Sequence, residues 1–207
     1  MSEAQQYFAT ISQDWDRLRR SFFSDELREV AIAKADLTSD MAATDIGIGT
    51  GFIARGLAPL VQKVYGIDNS PEMLAVARRN LQGFDNVELT LADGESIPLS
   101  DEAVNAVFAN MYLHHSLQPL EAVKEMTRIL KRDGWLVITD LDEHNHAWLR
   151  EEMADLWLGF NRDEVAEWFV AAGLRDVEVT CAKCDCCATS SEGEPAAISI
   201  FVASGRR

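Results

Sequence analysis

The stretch Asp45-Ile46-Gly47-Ile48-Gly49-Thr50-Gly51 constrains this chain more than any other. It leaves an apolar run at residues 41–46 and enters a helical pattern reaching about residue 61, so it reads as strand, glycine turn and helix. Glycines at such a turn let backbone approach a ligand closely. Twenty-one residues after Gly47, Asp68 closes a second short strand, where a carboxylate can accept hydrogen bonds from both hydroxyls of a ribose. Together these features predict a nucleoside ligand at the carboxyl ends of parallel strands. A dinucleotide turn runs G-x-G-x-x-G and faces a pyrophosphate. Here the glycines alternate as G-x-G-x-G behind Asp45. A carboxylate at that point repels a pyrophosphate and suits a cationic ligand, which counts against a nicotinamide oxidoreductase.

The rest of the chain alternates strands with helices. Residues 5 to about 35 read as helix in two apolar sets, Tyr7, Phe8, Ile11, Trp15 and Leu18, then Leu27, Val30, Ala31 and Ala35 after Ser24-Asp25-Glu26. Ser70-Pro71 is a helix start, with Met73, Leu74, Ala77 and Leu81 as the apolar face. Strands are predicted at 87–91, 104–109 and 135–139, with a helix at 120–130 between the last two. Helices follow from about 147 and from Asn161, with Glu164 three residues on as in a capping box. Two apolar runs, 177–184 and 196–203, are joined by a polar loop at 185–195. Such alternation predicts a mainly parallel α/β sheet covered on both faces. With no break in composition, one domain is expected over 1–207. Its parts are a helical lid (1–36), a cofactor-binding core (37–140), and a final segment (141–207) of helices and two strands carrying the cysteines.

Charge removes some partners. Nineteen Lys and Arg against 34 Asp and Glu leave a net charge of −15, a field that repels nucleic acid and acidic membranes. No apolar run approaches the roughly 20 residues a bilayer needs. The start, MSEAQQYFATISQDWD, lacks a basic region followed by an apolar one, so a cytoplasmic location is expected.

The set DIGIGTG, YGIDNSPEML, LADGESIPL, VFANMYLHH and RILKRDGWLVITD resembles a class I S-adenosylmethionine-dependent methyltransferase, in order over about 42–140. It is most similar to the branch with ubiquinone and menaquinone C-methyltransferases and arsenite methyltransferases. DLDEHNHAWLREEMADLWLGF is similar to the methyltransferase domain fused to some arsenic-type metalloregulators. The resemblance implies a doubly wound, Rossmann-like sheet of seven strands, mostly parallel with the last antiparallel. It implies S-adenosylmethionine as cofactor, with Gly47, Gly49 and Gly51 along its methionine moiety and Asp45 at its cationic end. Asp68 would hold the ribose. Asn69 and Met73 would flank the adenine, Asp93 and Gly94 would bind its amino group, and Asn110 would sit by the amino-acid part. The acceptor would be a small molecule or a metalloid. A non-catalytic module that senses cofactor or metal remains the alternative.

Methyl transfer from a sulfonium needs mainly alignment and exclusion of water. A ring carbon or phenol also needs a proton removed. His114 and His115 follow the fourth strand, and Asp140, Asp142, His144 and His146 follow the fifth, so all fall at the ligand-bearing edge. His114 and His115 are the candidate catalytic residues. Asn110-Met111-Tyr112-Leu113 lacks the Asn/Asp-Pro-Pro-aromatic motif of amide and nucleic-acid methyltransferases. Cys181, Cys184, Cys186 and Cys187 lie within seven residues, too bunched for a disulfide framework. They are candidate ligands for a soft metal or metalloid, arsenic(III) first, although adjacent side chains in an extended chain point opposite ways. The loop after residue 184 is expected to place Cys184, Cys186 and Cys187 near the mouth of the active site.

Overall fold

The central strands are buried on both faces, so helices must cover each side of the sheet. The computed structural model describes residues 3–207. Met1 and Ser2 of the expected lid lie outside the described residues. The strands are β1 (Ala42–Ile46), β2 (Lys63–Asp68), β3 (Val87–Leu91), β4 (Val104–Asn110), β5 (Leu130–Leu141), β6 (Arg175–Thr189) and β7 (Pro195–Arg206). They form one sheet in the order β3-β2-β1-β4-β5-β7-β6. Strands β1 to β5 are parallel, and β7 runs antiparallel between β5 and β6. The expected seven-stranded, doubly wound architecture is therefore present. The chain reverses its order of laying down strands at β1 and β4, and such a switch point opens a crevice at the carboxyl ends.

The helices are α1 (Glu3–Ile11), α2 (Trp15–Phe22), α3 (Glu26–Ile32), α4 (Phe52–Leu57), α5 (Pro71–Asn80), α6 (Pro119–Arg128), α7 (Trp148–Glu152) and α8 (Arg162–Ala171). One core packs Leu27, Ile53, Leu57 and Leu74 of α3, α4 and α5 on one face. The other packs Val123 and Met126 of α6 with Val165 and Phe169 of α8 on the opposite face. Local signals fix the starts. The Ser70 hydroxyl accepts from Met73 N–H at 3.2 Å, with Pro71 in the first turn of α5. Asn161 Oδ1 accepts from Asp163 N–H at 2.9 Å and opens α8. Among the described residues no helix is long and apolar enough to cross a membrane.

Two expectations need correction. The helical stretch expected at 5–35 in two apolar sets is three helices, because besides the turn at residues 23–25, beside the expected Ser24-Asp25-Glu26 start, the chain also turns at residues 12–14 and splits the first set. Cys186 and Cys187 do not lie in the expected loop at 185–195: β6 continues through all four cysteines to Thr189, paired with β7 from Pro195. Hairpin pairing satisfies backbone groups that polar composition alone suggested were in solvent. Between the pairs Cys181↔Phe201 and Asp185↔Ser199, residues Ala182, Lys183 and Cys184 face Ile200 alone, a bulge with Lys183 at φ 60°.

Phe201, fully buried on β7, joins the antiparallel hairpin to the α8 face. Phe201→Ala should lower the unfolding free energy by about 3–5 kcal/mol. Urea denaturation reads this, and a loss below about 1 kcal/mol would contradict the packing.

Candidate active site

The floor of the crevice is the turn from β1 to α4. Gly47, Gly49 and Gly51 all have positive φ, at 65°, 53° and 94°, a region open to glycine and strained for other residues. Close approach adds to this. A Cβ on Gly47 would lie 2.6 Å from Tyr112 Cδ2, and one on Gly94 would lie 2.3 Å from Tyr112 Oη. The Tyr112 ring is thus packed against two glycines from different loops. Asp68, at the end of β2, ties the floor together: its Oδ2 accepts from Gly49 N–H at 2.8 Å and its Oδ1 from Ser70 N–H at 2.9 Å. Burial raises the Asp68 pKa, opposed by those backbone donors.

The opposite end is built on Asp140 of β5, which is fully buried. Its Oδ2 accepts from Leu113 N–H at 2.8 Å, and its Oδ1 from Leu141 N–H at 2.8 Å. His114 Nδ1 lies 2.6 Å from Asp140 Oδ1, and its Nε2 lies 3.8 Å from Asp155 Oδ1. Burial alone would pull the His114 pKa down, but Asp140 and then Asp155 outweigh it and hold it up at about 9. Burial likewise pushes Asp155 up to about 6, against the pull of His114. His115 differs. Its Nδ1 is 3.2 Å from the Ala154 carbonyl, which can only accept, so Nδ1 carries the proton and Nε2 keeps its lone pair. Burial, then the neighbouring His114 charge, hold its pKa well below the usual histidine range. Ala154 itself adopts φ 58°, a strained value for a residue with a Cβ.

The amino-terminal helices roof the space between. Phe8 of α1 meets the His115 ring edge-to-face at 4.9 Å and Trp15 of α2 at 5.5 Å. Asp16 fastens α2 to the floor, accepting from the Thr50 hydroxyl at 2.6 Å and from Asn80 Nδ2 at 2.8 Å. Arg19 is buried, its guanidinium 4.2 Å from the Phe52 ring centre. The cavity beneath these helices measures about 450 Å³.

Its walls include Gly47, Gly49, Asp68, Asn69 and Met73 at one end and His114 and His115 at the other. Asp93, Gly94 and Asn110 also line it. Asp45 and Gly51 do not. Asp45 is buried behind the turn, where its Oδ2 accepts from Ala54 N–H at 2.9 Å, and Gly51 caps α4 against Leu81. Asp45 thus holds the turn rather than facing a ligand. Of the cysteines only Cys186 lines the cavity. Cys184 and Cys186 pack on the core shared with α3 and α4, whereas Cys181 and Cys187 are exposed, Cys181 against Arg162 of α8. The strand therefore divides the four thiols rather than gathering them. Burial, then Asp155, push the Cys186 thiol up to about 12, which keeps it protonated. His144 and His146 lie outside the cavity walls. Asp155 and Tyr112 also line the cavity, although neither is among the expected site residues: Asp155 stands in an irregular segment, and Tyr112 reads as a strand-end aromatic.

The sheet resembles that of a solved S-adenosylmethionine-dependent methyltransferase from Aquifex aeolicus, which superposes with a TM-score of 0.70 at 22% identity, covering 96% of this chain and 97% of that one. Residues 44–138 match the family described as a methyltransferase domain. It is 27% identical over 180 residues to malonyl-[acyl-carrier protein] O-methyltransferase of Marinomonas sp. (strain MWYL1), covering 82% of this chain and 64% of that protein. It is 32% identical over 136 residues to demethylmenaquinone methyltransferase of Clavibacter sepedonicus, covering 64% of this chain and 56% of that one. The chain thus spans less than two thirds of the length of either relative. The crystal structure of the YcgJ protein of Bacillus subtilis superposes with a TM-score of 0.72 at 20% identity, covering 89% of this chain and 99% of that one.

Burial, reinforced by Asp68, raises the Asp45 pKa to about 8. A folded-state pKa above the unfolded value near 4 means stability present below about pH 4 is lost as pH rises through about 8. Asp45→Asn, which keeps an acceptor for Ala54 N–H, should flatten this decline in urea denaturation between pH 4 and 8. Equal slopes in the two proteins would rule the assignment out.

Proposed function

We propose that this chain transfers a methyl group from S-adenosylmethionine to a small molecule bearing an ionisable hydroxyl, of the phenol or hydroquinone kind. The observation that supports it best is a single cavity with a nucleoside-type floor at one end and an unprotonated histidine nitrogen under an apolar roof at the other. The residues fit the cofactor: the positive-φ glycines Gly47 and Gly49 present bare backbone to the cavity, and Asp68 supplies a buried carboxylate beside them. When bound, S-adenosylmethionine supplies an activated sulfonium methyl. Asp68 would accept from the ribose, Asn69 and Met73 flank the adenine, and Asp93 with Gly94 bind its amino group. Gly47, Gly49 and Asn110 would line the methionine part.

His115 takes the hydroxyl proton of the acceptor on Nε2, and the Ala154 carbonyl fixes the tautomer that leaves this nitrogen bare. His114, locked to Asp140, positions the neighbouring ring and Asp155. Phe8, Trp15 and the rest of the lid keep water from the transfer. The described residues would work as one domain, with 3–36 as the lid. The two curated relatives act, by their names, on a malonyl-[acyl-carrier protein] and on a demethylmenaquinone, and the second supports an acceptor of the quinone kind. A metalloid acceptor would need thiolates that converge, and here they face opposite sides of β6.

Two measurements test the reading. Asp68→Ala should weaken S-adenosylmethionine binding in calorimetry by at least tenfold, about 1.4 kcal/mol; unchanged affinity would remove the nucleoside from this floor. Labelled-methyl transfer to a panel of phenols and hydroquinones should proceed in single turnover. His115→Gln should cut that rate about 10²–10⁴-fold. Cofactor binding without transfer to any acceptor would favour the sensing module instead.

A further inference from the structure

Proton removal needs one base, yet three groups with metal-ligating atoms converge at the acceptor end. One ligand atom from each of His114, His115 and Asp155 lies within 4.8 Å of the others, and His114 Nε2 stands 3.8 Å from Asp155 Oδ1. We infer that His114, His115 and Asp155 form a site for a divalent transition ion of the zinc type, with a further coordination position open to the cavity.

Four properties support it. A tetrahedral ion with bonds of about 2.1 Å sets its ligand atoms about 3.4 Å apart, so these groups close by at most about 1.4 Å around it. Side-chain torsions supply that movement. The ring of His114 is already oriented as in metal centres: its Nδ1 is bound to the buried Asp140 carboxylate at 2.6 Å, which aims Nε2 away from Asp140 toward Asp155. Asp140 is itself held by Leu113 and Leu141 N–H groups. The charge also fits, since Asp140 and Asp155 are two buried carboxylates facing a single imidazole, and a divalent ion in place of its proton balances both. Finally, two imidazoles and one carboxylate prefer borderline ions to Mg²⁺ or Ca²⁺.

All three side chains line the cavity, so an acceptor oxygen can reach the ion as a further ligand. This catalytic consequence rests on the methyl-transfer reading; the ion site does not. A coordinated hydroxyl has a lowered pKa and releases its proton to water. The oxygen then forms its bond to the methyl carbon as the carbon–sulfur bond breaks and its electron pair stays on sulfur. In that state the imidazole of His115 holds the ion instead of taking the proton.

Chelator-treated protein titrated with Co²⁺, and with Zn²⁺ in competition, tests the site without any turnover. The expected result is one equivalent bound, with the visible absorption of four-coordinate cobalt and no thiolate-to-cobalt charge-transfer band. Binding should survive in the Cys181→Ser/Cys184→Ser/Cys186→Ser/Cys187→Ser variant and be unaffected by excess Mg²⁺. It should weaken at least tenfold in Asp155→Asn and in His115→Gln, with circular dichroism confirming that each is folded; if either fails to fold, the other carries the comparison. No stoichiometric binding, or binding that disappears with the cysteines yet persists in both site variants, overturns the inference. Calorimetry with S-adenosylmethionine on the same preparation reports separately on the methyl-transfer reading.

Discussion

The buried carboxylate of Asp140 organises the reactive end of this molecule. It sits at the carboxyl end of β5 with backbone donors from Leu113 and Leu141 and the imidazole of His114 all directed at it. A charge so deep is tolerated only when paired and hydrogen-bonded on every side; stripping one partner from such a pair typically costs about 3–5 kcal/mol. The turn after β4 therefore cannot drift from β5, and the two histidines are held in register with Asp155. A chain that lost this carboxylate would keep its sheet and lose the order of its cavity.

At the other end Asp68 plays a comparable part by a different route. Its two oxygens accept from the glycine turn and from the cap of α5, so one side chain couples the β1–α4 and β2–α5 connections. Asp16 then fastens the roof to the same turn through Thr50 and Asn80. The floor, the roof and the first two crossovers thus share a short chain of charge-assisted hydrogen bonds, which are the stronger kind. An apolar lid resting on that frame encloses space where electrostatic interactions count for more than they do in water.

Much of this is readable in the residues. The Gly47–Gly51 spacing, Asp68, the Ser70-Pro71 start and the Asn161 cap are local signals, and each sits in the structure where its chemistry put it. The sheet order follows the resemblance. Asp45 illustrates the limit: its position in the motif is right, but its side chain turns under the loop to Ala54 rather than toward the crevice. Tyr112 and Asp155 lie in stretches that carry the resemblance but are given no role there, and they enter the site through contacts with residues distant in the chain. The cysteines suggested one cluster because they are neighbours in sequence, whereas strand geometry sends them to two faces.

The sequence by itself determined the alternation of strands and helices, the glycine floor and the carboxylate that completes it, because those depend on backbone conformation and on spacings of a few residues. Tertiary structure decided which histidine meets a buried carboxylate and which a backbone carbonyl, which thiol reaches the cavity, and that Asp155 faces His114. Those properties arise from burial and from the field of groups that folding brings together across 26 to 41 residues of chain, from the His114–Asp140 contact to the His114–Asp155 contact. No local pattern encodes such distances, since a pKa or a coordination shell belongs to the assembled surroundings and not to the residue.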